Sequence, residues 1–294
     1  MAKLDRDVAD RALFVPLIFR LALKLEQVPW AEFSASASEA MFVLRSAQRL
    51  FKLDAVCAWF DTWLEAEAVG MSIVRDDLGA CVARPDPVAL PPVETVLASA
   101  PIVRVVEIIR RLRGEAGDKG IVLAAVSAGA TLIDHVAGEA ARVRILAALE
   151  AGALTAEDTT LLDGLRQLSL GIARAFLEAG AGALLLLQEV ESPDLAEFEA
   201  FVSVFNLAAY YGTPVVLLAR HPLSKKGEAT LARLGIALYA SPNAASPGLL
   251  ALPSADEAGP VQKQSEWLAL SRWEIDPSTA PETVQSWRRA VSGI

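Results

Sequence analysis

The sequence is poor in cysteine and histidine. Its 294 residues include only the cysteines Cys57 and Cys81 and the histidines His135 and His221. Two cysteines are too few for a disulfide framework or a cysteine-based zinc site. The Cys-x-x-Cys and His-Glu-x-x-His motifs of metal proteins are missing too. The cysteine count favours a cytoplasmic protein. We predict no metal or other cofactor, with a carboxylate–histidine metal site of Asp61, His135 and Glu189 as the alternative.

Clustered basic charge and long apolar runs are also lacking. The net charge is -9, which disfavours nucleic acid as a partner because non-specific binding needs clustered Lys and Arg. No stretch reaches the roughly 18 apolar residues of a transmembrane helix, so no membrane contact is predicted. The N-terminus lacks the pattern of a signal peptide. We interpret the apolar segment 12–25 as an amphipathic helix.

Apolar residues, by contrast, are abundant, at 53% of the chain. Short strand-like runs alternate with longer segments of helical period, which is typical of parallel βα units. Eight strands are predicted, at residues 54–60, 72–74, 120–126, 183–187, 214–219, 235–240, 249–252 and 267–270. Several are apolar throughout, as expected of strands covered on both faces.

This alternation predicts an α/β protein with a (β/α)8 TIM barrel. An open doubly wound sheet is the alternative fold, although no Gly-x-Gly-x-x-Gly motif or P-loop supports it. We predict a single domain over residues 1–294, in which residues 1–50 form an N-terminal helical segment.

Polar residues follow nearly every predicted strand, and barrel enzymes carry their active sites at these strand ends. Among the residues at these ends are, in chain order, Asp61, Glu65, Ser127, Thr131, His135, Glu189, Glu191, Arg220, His221, Arg272, Trp273 and Glu274. The strands themselves are almost purely apolar, so this pattern indicates a site at one end of the barrel.

Asp61 and His135 are the candidate catalytic residues. Asp61 lies between Phe60 and Trp63, and an aromatic environment can raise the pKa of a carboxyl group into the range useful for acid–base work. The alternative for Asp61 is a helix N-cap. His135 is either a general acid or base or a hydrogen-bonded helix residue.

The predicted substrate-binding residues are Glu189, Arg220, His221, Arg272, Trp273 and Trp63. Arg220 and Arg272 could hold a carboxylate through paired hydrogen bonds, or instead form ion pairs with neighbouring glutamates. The two tryptophans would supply an apolar wall, and His221 could instead lie on the surface.

Four segments of the chain resemble the uroporphyrinogen decarboxylase superfamily, which includes the decarboxylase and the cobamide-dependent methyltransferases. They are residues 53–70, residues 127–138, residues 178–187, and residues 270–282 with their Thr-Ala-Pro-Glu end. The resemblance implies a (β/α)8 barrel, a homodimer, and a catalytic role for Asp61.

Departures from the family pattern limit what the resemblance implies. The arginine-rich loop of the decarboxylase should follow Trp30, but residues 31–38 contain no arginine, so uroporphyrinogen is not the expected substrate. The family's tyrosine falls on His135 and its late histidine on Trp273. The zinc ligands of the methyltransferases would fall near Leu218, Arg220 and Trp273, none of which binds zinc.

The leading hypothesis is a metal-independent lyase, a decarboxylase acting on a small organic or aromatic acid. Asp61 and His135 would move protons, while Arg220 or Arg272 would hold the substrate carboxylate. One alternative is a methyltransferase component that works with a corrinoid protein, and another is a non-catalytic binding or scaffold protein.

Overall fold

The computed structural model describes residues 12–86, 88–117, 120–247, 249–252 and 268–292. Its strands are β1 Leu13–Val15, β2 Ala55–Cys57, β3 Val74–Arg75, β4 Cys81–Ala83, β5 Ile121–Ser127, β6 Ala183–Gln188, β7 Val215–Ala219, β8 Leu238–Ser241, β9 Ala244–Ala245, β10 Leu249–Leu252 and β11 Leu268–Ser271. Its helices are α1 Arg20–Glu26, α2 Trp30–Phe33, α3 Ala37–Phe51, α4 Leu64–Ala68, α5 Val93–Leu97, α6 Ala100–Ala116, α7 Gly129–Ala137, α8 Glu139–Ala151, α9 Ala156–Glu178, α10 Val202–Tyr210, α11 Lys225–Arg233 and α12 Pro281–Ser292. A 3-10 helix, Ala196–Phe201, precedes α10.

The strands form a TIM barrel. One run of parallel pairings joins β2, β5, β6, β7 and β8, and another joins β1, β11 and β10. Asp54 joins the two runs at β1, because its amide donates to the Phe14 carbonyl at 3.0 Å. Its carboxylate accepts from the Phe14 amide at 2.8 Å. Ser246 links β8 to β10 on the other side, with its hydroxyl accepting from the Tyr239 amide at 3.0 Å.

The predicted covering of the central strands on both faces is confirmed. Every residue of β6 is buried, and β7 is buried from its second residue onward. The surrounding helices therefore shield the outer faces of these strands while neighbouring side chains fill the barrel interior.

The N-terminal segment differs from its prediction. Residues 13–15 form the barrel strand β1, and the first helix begins only at Arg20. Pro16 separates the two elements, because proline donates no backbone hydrogen bond and fixes φ. A three-residue strand is too short to show a period of its own. Residues 1–11 of the predicted helical segment lie outside the described residues.

The predicted strand at residues 72–74 is not a barrel strand. Val74 and Arg75 instead pair with β4 in a two-stranded antiparallel hairpin. The remaining predicted strands match barrel strands with shifted ends, and Trp267, at the start of the last one, lies outside the described part. The hairpin β3–β4 matters for function because its turn lies over the carboxyl ends of the barrel strands.

The turn of this hairpin is fixed by two contacts with Trp30. The Trp30 amide donates to the Asp77 carbonyl at 2.7 Å. Gly79 has a φ of +89°, and a Cβ atom there would lie 2.1 Å from the Trp30 ring. Glycine is therefore required at position 79 for both its backbone conformation and its small size.

We expect Gly79→Ala to destabilise the protein by about 1–3 kcal/mol more than Gly70→Ala. Gly70 has a similar φ of +101° but open space around it, so its variant isolates the backbone cost. Urea unfolding of both variants measures the difference. Equal losses of unfolding free energy would show that Trp30 does not hold the hairpin.

Candidate active site

A cavity of about 210 Å³ lies at the carboxyl ends of the barrel strands. Its walls combine five aromatic side chains, three carboxylic acids and two arginines, namely Phe19, Trp30, Phe60, Trp63, Trp273, Asp61, Glu189, Glu274, Arg20 and Arg220. Thr62 and residues 78–81 of the hairpin complete the lining. We call this space the mouth cavity. Its position matches the strand end at which TIM barrels bind their ligands.

The structure brings most of the predicted site residues together here. Asp61, Trp63, Glu189, Arg220 and Trp273 all line the mouth cavity. His135 lies directly behind Trp63, with the two rings stacked at a centroid distance of 3.7 Å. The other two candidates, His221 and Arg272, are not among the described residues of the lining.

His135 is held between a carbonyl group and a carboxylate. Its Nδ1 lies 2.8 Å from the Thr62 carbonyl oxygen, and its Nε2 lies 3.5 Å from Oε2 of Glu189. A carbonyl oxygen only accepts, so this geometry assigns a proton to Nδ1. Burial lowers the pKa of His135, although the hydrogen bond to Thr62 and the charge of Glu189 oppose that shift.

Glu189 presents a carboxylate to the cavity with both of its oxygens engaged. The Thr62 hydroxyl donates to Oε2 at 2.5 Å, and Arg220 donates to Oε1 at 3.0 Å. The Glu189 amide in turn donates to the Thr131 hydroxyl at 2.8 Å, which anchors the end of β6 to α7. Because its side chain is 25% exposed, Glu189 can meet a ligand directly.

Asp61 is not a free acid in this structure. Its carboxylate pairs with Arg75 of the hairpin at 2.7 Å and accepts from the Trp63 amide at 3.0 Å. Arg75 also contacts Glu67 at 2.9 Å and lies over the ring of Trp30. Burial raises the pKa of Asp61, and Arg75 opposes the shift. Asp61 is not the N-cap of α4, which is Trp63, but its carboxylate accepts from the Trp63 amide one residue before the helix.

Three buried glutamates have strongly raised pKa values. Burial raises the pKa of Glu65, Glu197 and Glu274 from an ordinary value of 4.5 to about 7. Hydrogen bonds offset part of this cost. Glu197, for instance, accepts from the Ser192 hydroxyl at 2.8 Å and the Ala130 amide at 3.2 Å.

Because of these three glutamates, we expect the free energy of unfolding to fall as the pH rises from about 4.5 to about 7. In that range the folded protein keeps protons that the unfolded chain has released, and each glutamate lowers the free energy of unfolding by on the order of 1–3 kcal/mol. His135 acts in the opposite direction, because its lowered pKa favours folding as the pH rises. Urea unfolding at about pH 5 and about pH 8 measures the net effect.

Glu197→Gln is expected to flatten this dependence, because glutamine cannot ionise and Glu197 lies outside the mouth cavity. A free energy of unfolding of the wild-type protein that rises from the lower to the higher of the two pH values would contradict the prediction.

The residues at the predicted zinc positions do not fit a zinc site. Leu218 is fully buried in β7, Arg220 binds Glu189, and Trp273 packs against Phe60 at a centroid distance of 5.4 Å. Across the described ranges, no group of three or more His, Cys, Asp or Glu side chains is placed to hold a metal.

The fold and the mouth cavity define the class as a (β/α)8 barrel protein with a cavity at the carboxyl ends of its strands. The family model for uroporphyrinogen decarboxylase (URO-D) matches residues 17–202. The chain therefore belongs to the URO-D family, which confirms the resemblance seen in its sequence segments.

A solved structure of a methyltransferase from Methanosarcina mazei is similar over nearly its whole length. The TM-score is 0.71 with 18% sequence identity, and the match covers 99% of this chain and 96% of that chain. At this identity the similarity supports the TIM-barrel fold alone. A sequence comparison with curated proteins gave no significant match. Within the described residues, no helix is long and apolar enough to cross a membrane.

Proposed function

We propose that this protein is an enzyme that binds a small molecule in the mouth cavity and transfers a methyl group together with a corrinoid protein. The observation that carries the proposal is the placement of Glu189 on the cavity wall, 3.5 Å from the Nε2 atom of His135. This pair can supply a proton to a leaving group. The similarity of the fold to a methyltransferase supports the same reading.

The charges around the cavity favour a substrate without several free carboxylates. Each arginine at the cavity already has a carboxylate partner, since Arg20 binds Glu274 and Arg220 binds Glu189. Arg75, just behind the wall, is likewise paired with Asp61. An uncharged or zwitterionic molecule with an apolar body fits such a neutralised, aromatic-walled cavity best.

The proposed chemistry is proton-assisted cleavage of a bond between a methyl carbon and a heteroatom. The bonding electron pair stays on the heteroatom, and the proton of the Glu189–His135 pair neutralises it as the bond breaks. The partner's reduced corrinoid is the cosubstrate that supplies the electron pair for the new bond to the methyl carbon. Trp63 and Trp273 exclude water, while Arg220 orients Glu189.

A decarboxylase is the second candidate, and Arg220 is the observation that favours it. Its side chain is 56% exposed and makes one ion pair, with Glu189. It could therefore turn toward a substrate carboxylate, with the Glu189–His135 pair protonating the carbon from which carbon dioxide leaves. The homodimer and the cytoplasmic location remain predictions under either function.

Parallel assays separate the two candidates. Cob(I)alamin methylation by a panel of methoxyarenes and methylamines is followed by cobalt absorbance, and carbon dioxide release is measured from aromatic acids. We expect methyl transfer that depends on the protein. Carbon dioxide release without methyl transfer would instead establish decarboxylase activity. No activity in either assay would support the alternative of a non-catalytic scaffold.

A further inference from the structure

We propose that Ser127 and Glu65 are positioning residues that clamp the Thr62 carbonyl, which in turn holds His135 in the tautomer protonated on Nδ1. The role of this clamp in proton transfer rests on the proposed function, whereas its effect on the tautomer of His135 does not. Neither Ser127 nor Glu65 lines the mouth cavity as described. They act through Thr62 on the tautomer of His135, and therefore on the Nε2 atom that faces Glu189.

The clamp begins at the end of β5. The Ser127 hydroxyl lies 3.0 Å from the Thr62 carbonyl oxygen and 2.8 Å from Oε2 of Glu65. The Ser127 amide donates to Oε1 of Glu65 at 2.8 Å. All three residues are buried, with Glu65 only 2% exposed. These bonds tie the irregular segment before α4 to the barrel strand.

The hydroxyl of Ser127 has one proton to donate but two acceptors within reach. When Glu65 is protonated, its own proton can go to the Ser127 oxygen, and Ser127 then donates to the Thr62 carbonyl. The strong burial of Glu65 favours this protonated form. Thr62 then receives two hydrogen bonds, one from Ser127 and one from His135, which fill both lone pairs of its carbonyl oxygen.

The clamp determines which nitrogen of neutral His135 carries its single proton. The Thr62 carbonyl competes for it at Nδ1, 2.8 Å away, while the Glu189 carboxylate competes at Nε2 from 3.5 Å. A carboxylate is the stronger acceptor. The proton therefore stays on Nδ1 only while the Thr62 carbonyl is held close to that atom. If the Thr62 peptide were free to turn, the proton would move to Nε2 and toward Glu189.

Fixing the proton on Nδ1 leaves the Nε2 atom of neutral His135 as an acceptor facing Glu189. A lone pair facing a carboxylate is unfavourable, so the charge of Glu189 favours a second proton on Nε2 of His135, between the two groups. This second proton is the one proposed to reach the substrate. The negative charge of Asp61 raises the pKa of Glu65. The pKa of His135 is raised by the charges of Glu189 and Asp61 and lowered by the charge of Arg84.

The test is long-range proton–nitrogen NMR of the whole protein labelled with nitrogen-15. The chain has only two histidines, and His221→Gln assigns the signals of the exposed one. In the wild-type protein, above the pKa of His135, we expect Nδ1 to be of the protonated type and Nε2 of the unprotonated type. Ser127→Ala and Glu65→Ala are expected to lose this single tautomer and gain the Nε2-protonated form.

Two variants serve as matched controls. Glu65→Gln keeps an acceptor for the Ser127 amide and a donor for its hydroxyl, so it should retain the wild-type tautomer. Ser192→Ala removes the hydroxyl of the other buried serine–glutamate pair, Ser192–Glu197, and should also leave His135 unchanged.

The proposal is overturned if wild-type His135 carries its proton on Nε2, if Ser127→Ala keeps the single Nδ1-protonated form, or if Glu65→Gln loses it. Should the alanine variants fail to fold, the wild-type spectrum and the near-isosteric Glu65→Gln still decide. Failure of methyl transfer with the expected tautomer intact would refute the proposed function and leave the clamp standing.

Discussion

Replacing Glu189 with glutamine is expected to slow methyl transfer by about 10²–10⁴-fold. Glutamine retains the shape of the side chain and an oxygen for Arg220, but its neutral amide cannot stabilise a protonated His135, so the pair lacks the proton for the leaving heteroatom. The loss should appear in kcat, since the proton is needed in the transition state rather than for binding. Cob(I)alamin methylation, followed by cobalt absorbance, measures the effect.

Glu191→Gln is the matched control for this prediction. Glu191 lies two residues further along the same loop and is exposed. The hydrogen bond given for it comes from Arg142 and ends on its backbone carbonyl. The variant should keep wild-type activity. A Glu189→Gln enzyme within about twofold of wild type in both kcat and KM would remove Glu189 from the mechanism.

Replacing Arg75 with alanine is expected to destabilise the fold by about 3–5 kcal/mol. The side chains of Arg75 and Asp61 are only 5% and 7% exposed, and they pair at 2.7 Å. Without the guanidinium group, Asp61 becomes a buried charge without its cation. Thermal and urea unfolding of the variant measure the loss.

Two further variants test the origin of that loss. Arg111→Ala breaks an exposed pair with Glu107, whose side chains are about half exposed, and should cost less than about 1 kcal/mol. Combining Arg75→Met with Asp61→Asn removes both charges, so part of the stability should return. A loss for Arg75→Ala as small as that for Arg111→Ala would contradict a tightly buried pair.

The fold was largely predictable because the barrel strands are buried on both faces. Runs such as residues 184–187 carry that signature in sequence, and the matching strands were predicted to within a few residues. The strand Leu13–Val15 is not recognisable in the sequence, because a short apolar run followed by a proline resembles the start of a helix. Residues 72–74 resemble a barrel strand, because sequence alone does not distinguish a hairpin strand from a barrel strand.

The candidate site was predictable only where strand order sets position. Asp61, Glu189, Arg220 and Trp273 follow different strands, and barrel closure brings them to one cavity. Arg75 could not be predicted, because it reaches Asp61 from a hairpin whose path depends on Trp30 and Gly79.

The predicted pairing of Asp61 with His135 also changes. Both were assigned the acid–base work, but the structure puts Arg75 on Asp61 and Glu189 beside His135. Glu65 and Ser127 were visible as polar residues after strands, yet their contact depends on the turn between β2 and α4. Such buried hydrogen bonds leave no pattern in the sequence.

Alkylation of Cys81 by iodoacetamide tests most directly whether the mouth cavity is the functional site. Cys81 lines the cavity, whereas burial raises the pKa of Cys57 to about 12, so Cys57 reacts far more slowly in the folded protein and a rise in its rate reports unfolding. Mass spectrometry resolves the two thiols. We predict that a methyl donor that supports turnover, added without reduced corrinoid because cob(I)alamin itself consumes iodoacetamide, slows Cys81 alkylation at the concentrations that saturate turnover. An alkylation rate unchanged by a saturating methyl donor would contradict the placement of the reaction in this cavity.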